Sequence, residues 1–175
     1  MKLVEVGSCD EALLLDLLNT TPVSDGVQHD VLKEAPGAQD WLREHGIRKA
    51  ELAHLIEARN VLQAVVRGAE PAAALEPFVK AVALRANATA DGLDWELDID
   101  DARRGAVRAV LAWDALQNTS PGRLRACANP ECQLFLIDRS KPNTARWCSM
   151  AICGNRMKAR RHHRRAKTTE ADQQP

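Results

Sequence analysis

Four of the five cysteines in this 175-residue chain form two pairs with the same spacing. Cys127 and Cys132 have four residues between them, as do Cys148 and Cys153, and fifteen residues separate the two pairs. Zinc prefers four soft ligands in a tetrahedron, and two tight turns that each provide two sulfurs meet that preference. Four thiolates also leave no coordination position for a reactive water. The spacing therefore predicts one structural, non-catalytic Zn²⁺ per chain, bound by these four cysteines.

Two other uses of paired cysteines stay open at the level of the sequence. Disulfides fit the same spacing, but the expected compartment is the cytoplasm, where thiols remain reduced. An iron–sulfur cluster takes the same ligands, but a basic segment follows Cys153 instead of an electron-transfer context. His162 and His163 could compete as ligands, although four cysteines already complete the shell, so surface positions are expected. Cys9 stands alone and is expected to be a buried or capping residue.

A dense run of positive charge follows the last cysteine of the pattern. If residues 153–167 form a helix, its start is held at the metal and its outer surface is basic. Such a helix is suited to contact phosphates or to enter a groove of nucleic acid. The competing interpretations are a structural role at the metal turn for the first two residues and a solvated tail for the others. The predicted nucleic-acid contacts are Asn155, Arg156, Lys158, Arg160, Arg161, Arg164 and Arg165, with Arg139, Lys141 and Arg146 as secondary contacts.

The zero net charge of the chain conceals two oppositely charged parts. Residues 1–120 hold twelve basic and twenty acidic side chains, a net charge of −8, and residues 121–175 hold twelve and four, a net charge of +8. Such asymmetry is typical of a nucleic-acid or membrane contact on the basic side. The basic segment has no broad apolar face, so nucleic acid is favoured over membrane. Neither a transmembrane run nor a signal peptide is evident, and a cytoplasmic protein is expected.

The rest of the sequence predicts a mainly α-helical fold that positions the cysteine module. Apolar residues recur at helical spacing over 10–19, 39–45, 48–67 and 100–118. The segment 75–88 is expected to be helical, with a kink or a new start at Pro77. Residues 20–37 are expected to form a long loop, and 93–99 alternate as in a short strand. The predicted organisation is a helical sensor or dimerisation domain over 1–120, a zinc module over 121–167 and a disordered tail over 168–175.

Inside the zinc module, the order of segments indicates a treble-clef-like finger. The first cysteine pair forms a knuckle, residues 133–147 are expected to fold as a hairpin around a turn at Ser140–Asn143, and the last cysteine opens a helix. A module of about 45 residues buries too little apolar surface to hold itself together, so a metal is physically reasonable.

The same residues resemble a known family, the CGNR zinc-finger proteins, which are described as bacterial transcription regulators. The name-giving tetrapeptide is Cys153-Gly-Asn-Arg156, and the strings CANPEC, FLIDRS and ARWCSMAICGNR flank it within about 123–165. The N-terminal part is similar to the helical, stress-related partner domain of that family through LDLLNT (15–20) and Trp41-Leu42. The resemblance implies DNA binding and regulation.

The predicted function is therefore a zinc-dependent, DNA-binding transcription regulator. The alternative is an RNA- or protein-binding zinc module without operator specificity. An enzyme is not expected, because the N-terminal domain has no metal spacing, nucleophile–base pair or glycine-rich phosphate loop. Specific binding by one small finger is weak, so a homodimer is expected at a defined operator. Asp16 and Asn19 are weak candidates for binding an unknown small molecule, with capping and loop hydrogen bonds as the competing role.

Overall fold

The computed structural model describes the backbone of residues 8–171 and the side chains of residues 10–164. Within this range the chain is mainly α-helical, as predicted, with three small two-stranded sheets. No described helix is both long and apolar enough to cross a bilayer. The side chains of Cys9 and Arg165 and the last four residues of the predicted tail lie outside the described part. The helices are α1 (Ser8–Leu18), α2 (Ala35–Glu44), α3 (Leu52–Val66), α4 (Glu76–Val79), α5 (Arg104–Thr119) and α6 (Asn155–Ala171).

Helices α1, α3 and α5 pack against one another and form the centre of the molecule. Each presents an apolar stripe, which is the pattern that predicted these helices from the sequence. The stripes meet in one core, to which α1 contributes Leu14 and Leu17, α3 contributes Leu55 and α5 contributes Ala109 and Ala112. The small alanine side chains let α5 approach its neighbours closely.

A buried polar network holds the segment that connects α1 to α2. The Arg59 guanidinium donates to both carboxylate oxygens of Asp30, at 2.6 and 2.8 Å, and to the Thr20 hydroxyl at 3.1 Å. The Gln63 amide donates to the Leu18 carbonyl and the Thr21 hydroxyl, both at 2.8 Å. Charged and polar groups inside a core are tolerated only when they are paired. This network therefore fixes the loop against α3.

The four longer helices predicted from the sequence are confirmed, with shifts at their starts. Helix α2 begins at Ala35, four residues earlier than predicted, because Pro36 fits the first helical turn. A short 3₁₀ turn, Lys49–Glu51, precedes α3. Helix α5 begins at Arg104 instead of residue 100, because the buried Glu51 carboxylate accepts the Gly105 N–H at 2.8 Å and stabilises the first turn there.

The helical prediction for 75–88 is wrong after Val79. The chain enters strand β3 (Ala83–Thr89), which pairs antiparallel with β4 (Gly92–Asp98), the predicted strand. An alanine-rich segment has high helical propensity, but cross-strand pairing with β4 overrides it here. A second difference lies in the predicted loop, where β1 (Val23–Ser24) and β2 (Val27–Gln28) form a small hairpin.

The hairpin of the cysteine module is placed differently from the prediction. Strand β6 (Phe135–Ile137) pairs with β5 (Leu124–Ala126), which precedes the first cysteine pair, and not with a strand after the turn. Residues 138–147 form a loop instead. The buried Asp138 carboxylate accepts hydrogen bonds from the backbone N–H groups of Ser140 at 2.8 Å and Ala145 at 2.7 Å. These N–H groups are therefore not available for pairing between strands. Hydrogen bonding from Ser140 and Ala145, together with the Arg125 charge, lowers the pKa of Asp138.

The strands of the cysteine module complete the core of the helical part. Phe135 is 1% exposed and, with Leu124, belongs to the same apolar cluster as α1, α3 and α5. Strand β6 contacts α1, and β5 contacts α3. The module therefore shares one hydrophobic core with the helices, so its stability is coupled to theirs.

Candidate metal centre and the helix that follows it

The four sulfurs of the predicted site converge. All four Sγ atoms lie within 4.8 Å of one another, and Cys148 Sγ is 3.7 Å from both Cys132 Sγ and Cys153 Sγ. A tetrahedral zinc site with Zn–S bonds of about 2.3 Å has sulfur–sulfur edges of about 3.8 Å. The four cysteines are free thiols, and their separations exceed a disulfide bond of about 2.0 Å. The donor set and its dimensions therefore fit a Cys₄ zinc site.

Backbone turns place each sulfur. In the first turn the Cys127 N–H donates to the Leu134 carbonyl at 2.8 Å, and the Cys132 N–H donates to the Asn129 carbonyl at 2.9 Å. The fully buried Asn129 side chain donates to Cys153 Sγ at 3.4 Å. The Cys148 N–H donates to Cys127 Sγ at 3.5 Å. Such bonds to sulfur orient the ligands and favour their thiolate form.

The second cysteine pair sits at a wide turn that starts the last helix. The turn runs over Met150–Gly154, and the Gly154 N–H donates to the Ser149 carbonyl five residues earlier, at 3.0 Å. A Cβ atom at Gly154 would lie 3.0 Å from the end of the Met150 side chain and 3.4 Å from the Trp147 ring. Glycine here therefore allows Met150 and Trp147 to close over the helix start.

The pKa values of the Cys132, Cys148 and Cys153 thiols are shifted from the usual value for cysteine. Burial raises the pKa of Cys132 to about 11 and raises the pKa of Cys148 further. At Cys153 burial acts in the same direction, but hydrogen bonds from Asn129 and the neighbouring sulfurs outweigh it and lower the pKa. Four sulfurs this close cannot all be thiolates without a cation between them. Metal binding therefore has to release protons, and metal affinity should fall as the pH is lowered.

The two histidines of α6 lie away from this centre. His162 and His163 are exposed, and their rings face each other edge-on with centroids 6.2 Å apart. Among the described residues, the one group of potential metal ligands that converges consists of the four cysteines. The histidines occupy the surface positions expected from the sequence.

The predicted cations of α6 divide into different environments. Lys158 and Arg161 are exposed along the helix, and Arg164 is exposed one turn further on. Arg160 pairs with Glu131 of the first cysteine turn. Asn155 donates its side-chain N–H to the Ala151 carbonyl at 3.2 Å, which is a local structural bond. The first turn of α6 is thus tied to the metal turn, while the following turns present their charge to solvent.

The secondary candidates for nucleic-acid contact lie between the two cysteine pairs, in three different environments. Arg139 pairs with Glu11 of α1 at 2.8 Å, and Lys141 is exposed on the loop after β6. The Arg146 guanidinium lies 5.2 Å from the centre of the Trp147 ring, in a cation–π contact.

Trp147 and two methionines form the floor of a groove of about 450 Å³ beside α6, and cations form its rim. The lining includes Arg146, Trp147, Met150, Met157, Lys158, Arg160, Arg161 and Arg164. The sequence pattern gave no indication of this groove, because it depends on how Trp147 packs on the helix.

Arg156 faces another direction. It lines a cavity of about 380 Å³ between α1 and the metal turns, together with Leu15, Asn19, Cys132 and Cys148. The arginine of the CGNR tetrapeptide is therefore directed toward the helical part rather than along the outer face of α6.

The two weak ligand candidates of α1 have identifiable partners. The Asn19 side chain accepts the Phe135 N–H at 2.7 Å and donates to the Phe135 carbonyl at 3.3 Å, in the manner of a neighbouring strand. Asp16 lies 3.2 Å from His45 Nε2, and the His45 ring stacks on Trp41 with centroids 4.1 Å apart. Asn19 therefore couples α1 to the strand beside the metal centre, a role that spacing in the sequence could not indicate.

Replacing Asn19 by alanine should destabilise the chain by about 2–3 kcal/mol, because both backbone groups of Phe135 lose their partner. For a chain of this length, that loss corresponds to a decrease in Tm of roughly 4–12 °C. Asn87→Ala, an exposed residue of β3, is the matched control and should leave Tm nearly unchanged. Differential scanning calorimetry of the zinc-loaded chain measures both. Equal Tm values for the two variants would contradict the coupling assigned to Asn19.

The fold and the cysteine centre define a helical part joined to a small module in which four cysteine sulfurs converge. Comparison with protein families agrees with this description. Residues 11–128 match the ABATE family, described as "Putative stress-induced transcription regulator", and residues 123–166 match the CGNR zinc finger. The ABATE match covers more than half of the chain, so the chain belongs to that family. A comparison with curated proteins gave no match.

The two matched regions overlap over residues 123–128, which contain strand β5 and Cys127. This overlap agrees with the shared core, since β5 belongs to the zinc finger and packs on α3. The chain is thus a zinc-finger protein of a transcription-regulator family. That description is of a regulator and not of an enzyme, in agreement with the sequence prediction.

Proposed function

We propose that this protein is a zinc-dependent, DNA-binding transcription regulator of the cytoplasm and that α6 contacts the phosphates of duplex DNA. The observation that carries the proposal is the attachment of a basic helix to a rigid centre. The first turn of α6 is held by Cys153 and by the Asn155 hydrogen bond, and the cationic side chains that follow are exposed. A charged surface with a fixed direction can dock in one orientation, which a free tail cannot.

The environments of the cations rank their roles. Lys158 and Arg161 are the primary phosphate contacts, and Arg164 and Arg165 continue the same basic run. Arg146 and Lys141 are secondary contacts. Arg139 and Arg160 take part only by exchanging their carboxylate partners for phosphate. Asn155 and Arg156 can reach base edges only after leaving the Ala151 carbonyl and the cavity beside α1, so phosphate contact dominates over base readout.

The charge distribution favours the approach of DNA from the zinc-finger side. Residues 1–120 carry a net charge of −8, so they repel phosphates and leave the +8 segment as the surface that DNA meets. A Zn²⁺ ion with four thiolates contributes −2, which reduces the excess without abolishing it. Contacts of this kind give modest affinity, so regulation at an operator calls for a homodimer.

The cavity between α1 and the metal turns is the place for a small-molecule signal. Its lining joins Leu15 and Asn19 of the helical domain to Arg156 at the start of α6. An occupant would contact the sensor domain and the DNA-contacting helix together, so it could change their coupling. Asn19 belongs to this cavity and Asp16 does not.

The second candidate is an RNA- or single-strand-binding module. It is favoured by the groove beside α6, where Trp147 could stack on an unpaired base while Lys158 and Arg161 contact phosphates. Aromatic stacking combined with cations is the common mode of single-strand recognition. Duplex DNA does not expose base faces to such a groove, so the two candidates predict opposite preferences among polymers.

Fluorescence polarisation with the full, zinc-loaded chain tests the proposal on duplex DNA, single-stranded DNA and RNA across a salt series. Duplex DNA should bind most tightly. Lys158→Gln combined with Arg161→Gln should weaken duplex binding and reduce the steepness of the log–log salt dependence by about 1.8, since each phosphate contact contributes about 0.9. Lys80→Gln with Arg104→Gln, two cations of the helical domain, is the charge-matched control and should leave affinity unchanged.

The other outcomes are equally informative. Tighter binding of single strands would replace the proposal by the second candidate. Equal affinity for all three polymers would indicate non-specific charge attraction and would contradict a regulator that acts on duplex DNA. Binding that survives complete removal of zinc by a chelator would show that α6 does not need its anchored start.

A further inference from the structure

The β3–β4 hairpin stands apart from the rest of the molecule. Among residues 8–171, its two seven-residue strands make their extensive contacts only with each other. All positions of both strands are exposed except Leu97, which is half-buried. Seven residues at about 3.4 Å each give an arm roughly 24 Å long. A two-stranded hairpin of this kind is marginally stable in water unless one face packs on something.

The register sorts the hairpin into two unlike faces. Three cross-strand pairs share one side and are wholly apolar, namely Leu84–Leu97, Ala86–Trp95 and Ala88–Leu93. The other side carries Arg85, Asn87, Asp94, Glu96 and Asp98. Trp95 is 58% exposed and Leu93 is 61% exposed, which is unusual for large apolar side chains that lie side by side. Within the described part of the chain, the apolar side therefore lacks the partner that such a face requires.

A groove with complementary properties lies on the helical part of the same chain. It has a volume of about 450 Å³ and is lined by Ala38 and Leu42 of α2 and by Ile47 and Leu52 before and at the start of α3. Lys33, Arg43 and Lys49 surround this apolar floor with positive charge. Lys33 lies 3.5 Å from Asp30, and Arg43 pairs with Asp40 at 2.6 Å, so the rim is partly compensated. Asp30 is itself neutralised by Arg59, which leaves a net positive rim.

The charges of arm and groove are opposite. The segment 83–98 contains Arg85 and four acidic residues, a net charge of −3, in contrast to the cations of the groove. The two features also lie at the same end of the molecule. Asp101 lies three residues after the hairpin, and its carboxylate accepts a hydrogen bond from the Arg48 guanidinium at 3.0 Å. This bond links the base of the hairpin to the segment that lines the groove. Ile47 and Lys49 flank Arg48 in that segment.

We propose that this protein forms a two-fold symmetric homodimer in which the β3–β4 arm of each copy docks in the α2–α3 groove of the other. Trp95 and Leu93 enter the groove, and the acidic side of the arm lies within a Debye length, about 8–10 Å, of the cationic rim. A two-fold arrangement uses the same pair of surfaces twice, because each chain supplies one arm and one groove. The occupant is a second copy, since this chain carries both complementary halves. The inference does not depend on DNA binding.

Two charge-reversed variants of the full, zinc-loaded chain test the arrangement. The arm variant carries Asp91→Lys and Asp94→Lys, and the groove variant carries Arg43→Glu and Lys49→Glu; neither removes an apolar contact. Each variant alone opposes like charges at both contacts, so each should be a monomer at a micromolar concentration where the unmodified chain is a dimer. An equimolar mixture should recover the dimer, because each arm then meets a groove of opposite charge. Sedimentation velocity measures the mass of each sample.

Two further variants separate docking from folding. Trp95→Ser should weaken dimerisation by at least about 100-fold, as expected for a central aromatic anchor. Asn87→Ser on the polar side is its matched control and should retain the dimer. A monomeric unmodified chain would overturn the proposal. A dimer that survives the groove variant would also overturn it, because that result would place the arm on another surface. The helical circular dichroism signal should be unchanged in every variant, because the helical core does not depend on docking of the arm.

Discussion

Replacement of Cys153 by serine should remove stoichiometric zinc binding and destabilise the whole chain, and not the zinc finger alone. Cys153 is buried, lies 3.7 Å from Cys148 Sγ and accepts a hydrogen bond from Asn129. Serine offers a hard, protonated oxygen in place of a thiolate, so the tetrahedral site loses one of its four ligands. Structural zinc contributes apparent free energies of about 10–16 kcal/mol to small metal-dependent folds.

The loss of stability should extend from the cysteine module to the helices, because both belong to one hydrophobic core. Strand β6 follows the first cysteine turn directly, and its Phe135 packs in the cluster built by α1, α3 and α5. If the cysteine turns lose their structure, β5 and β6 lose the support that holds Leu124 and Phe135 in place. A domain of this kind is stable by only about 5–15 kcal/mol in total, so a loss of about 5 kcal/mol removes at least a third of its stability. We expect Tm to fall by at least about 10 °C.

The measurement combines a colorimetric zinc assay on denatured protein with differential scanning calorimetry. The unmodified chain should release one zinc ion per chain and show one transition. Cys9→Ser, which changes the cysteine outside the paired pattern, is the matched control and should retain the zinc stoichiometry. Unchanged zinc content in the Cys153→Ser variant would contradict the Cys₄ centre. Two separate transitions in the unmodified chain would contradict the shared core.

Replacement of Arg59 by alanine should have the second largest effect, a loss of about 3–5 kcal/mol in the free energy of unfolding. Arg59 is 1% exposed and makes a bidentate contact with Asp30. Alanine leaves that carboxylate without its counter-charge and leaves the Thr20 hydroxyl without a donor. The cost arises from the uncompensated buried charge rather than from the intrinsic strength of the ion pair. It corresponds to a decrease in Tm of roughly 6–20 °C.

Acid should also lower the free energy of unfolding of the unmodified chain, because it protonates Asp30. Burial works to raise the pKa of Asp30, but the Arg59 hydrogen bond and charge outweigh it, and the pKa lies below its usual value. A lowered pKa in the folded state stabilises the fold above the unfolded pKa, which is about 3.9 for aspartate. This contribution disappears as the pH falls through the lowered value. The difference in unfolding free energy between the unmodified chain and Arg59→Ala should therefore shrink below about pH 4.

Urea unfolding followed by circular dichroism measures both effects. Arg104→Ala is the matched control, because Arg104 also pairs with an aspartate but is exposed, and exposed pairs contribute about 0–1 kcal/mol. Asp30→Ala and the double variant complete a cycle that isolates the coupling between the two side chains. Independent, additive effects of Arg59→Ala and Asp30→Ala would contradict the assignment of a coupled buried pair.

Helix prediction succeeded where one amphipathic stripe decides the structure. Helices α1, α3 and α5 each bury a stripe of leucine, valine or alanine, and that stripe is visible in the sequence. Prediction failed at β3, where residues 83–88, which were predicted to be helical, pair with a strand that follows a tight turn. It failed again in the zinc finger, because the partner of β6 precedes the cysteine turn instead of following it. Strand pairing depends on which segments meet in space, and local composition does not record that.

The sequence by itself determined which four sulfurs come together. Few other structures accommodate four cysteines in two equally spaced pairs, because the spacing within each turn is a local property of the sequence. Zinc in turn selects soft ligands such as these sulfurs. The position of the basic run after Cys153 is likewise local, so a charged helix with an anchored start could be inferred from the residues alone.

Only the tertiary structure decided what that centre is attached to. It placed Asn19 on the backbone of Phe135, turned Arg156 toward α1, and assembled Trp147 with the cations of α6 into a groove. It also left the apolar side of the β3–β4 arm without a partner among the residues that the structure describes. These relations join residues that lie far apart in sequence, and they arise from the packing of a shared core. Pattern and spacing report only on neighbours along the chain, so such contacts appear once the chain has folded.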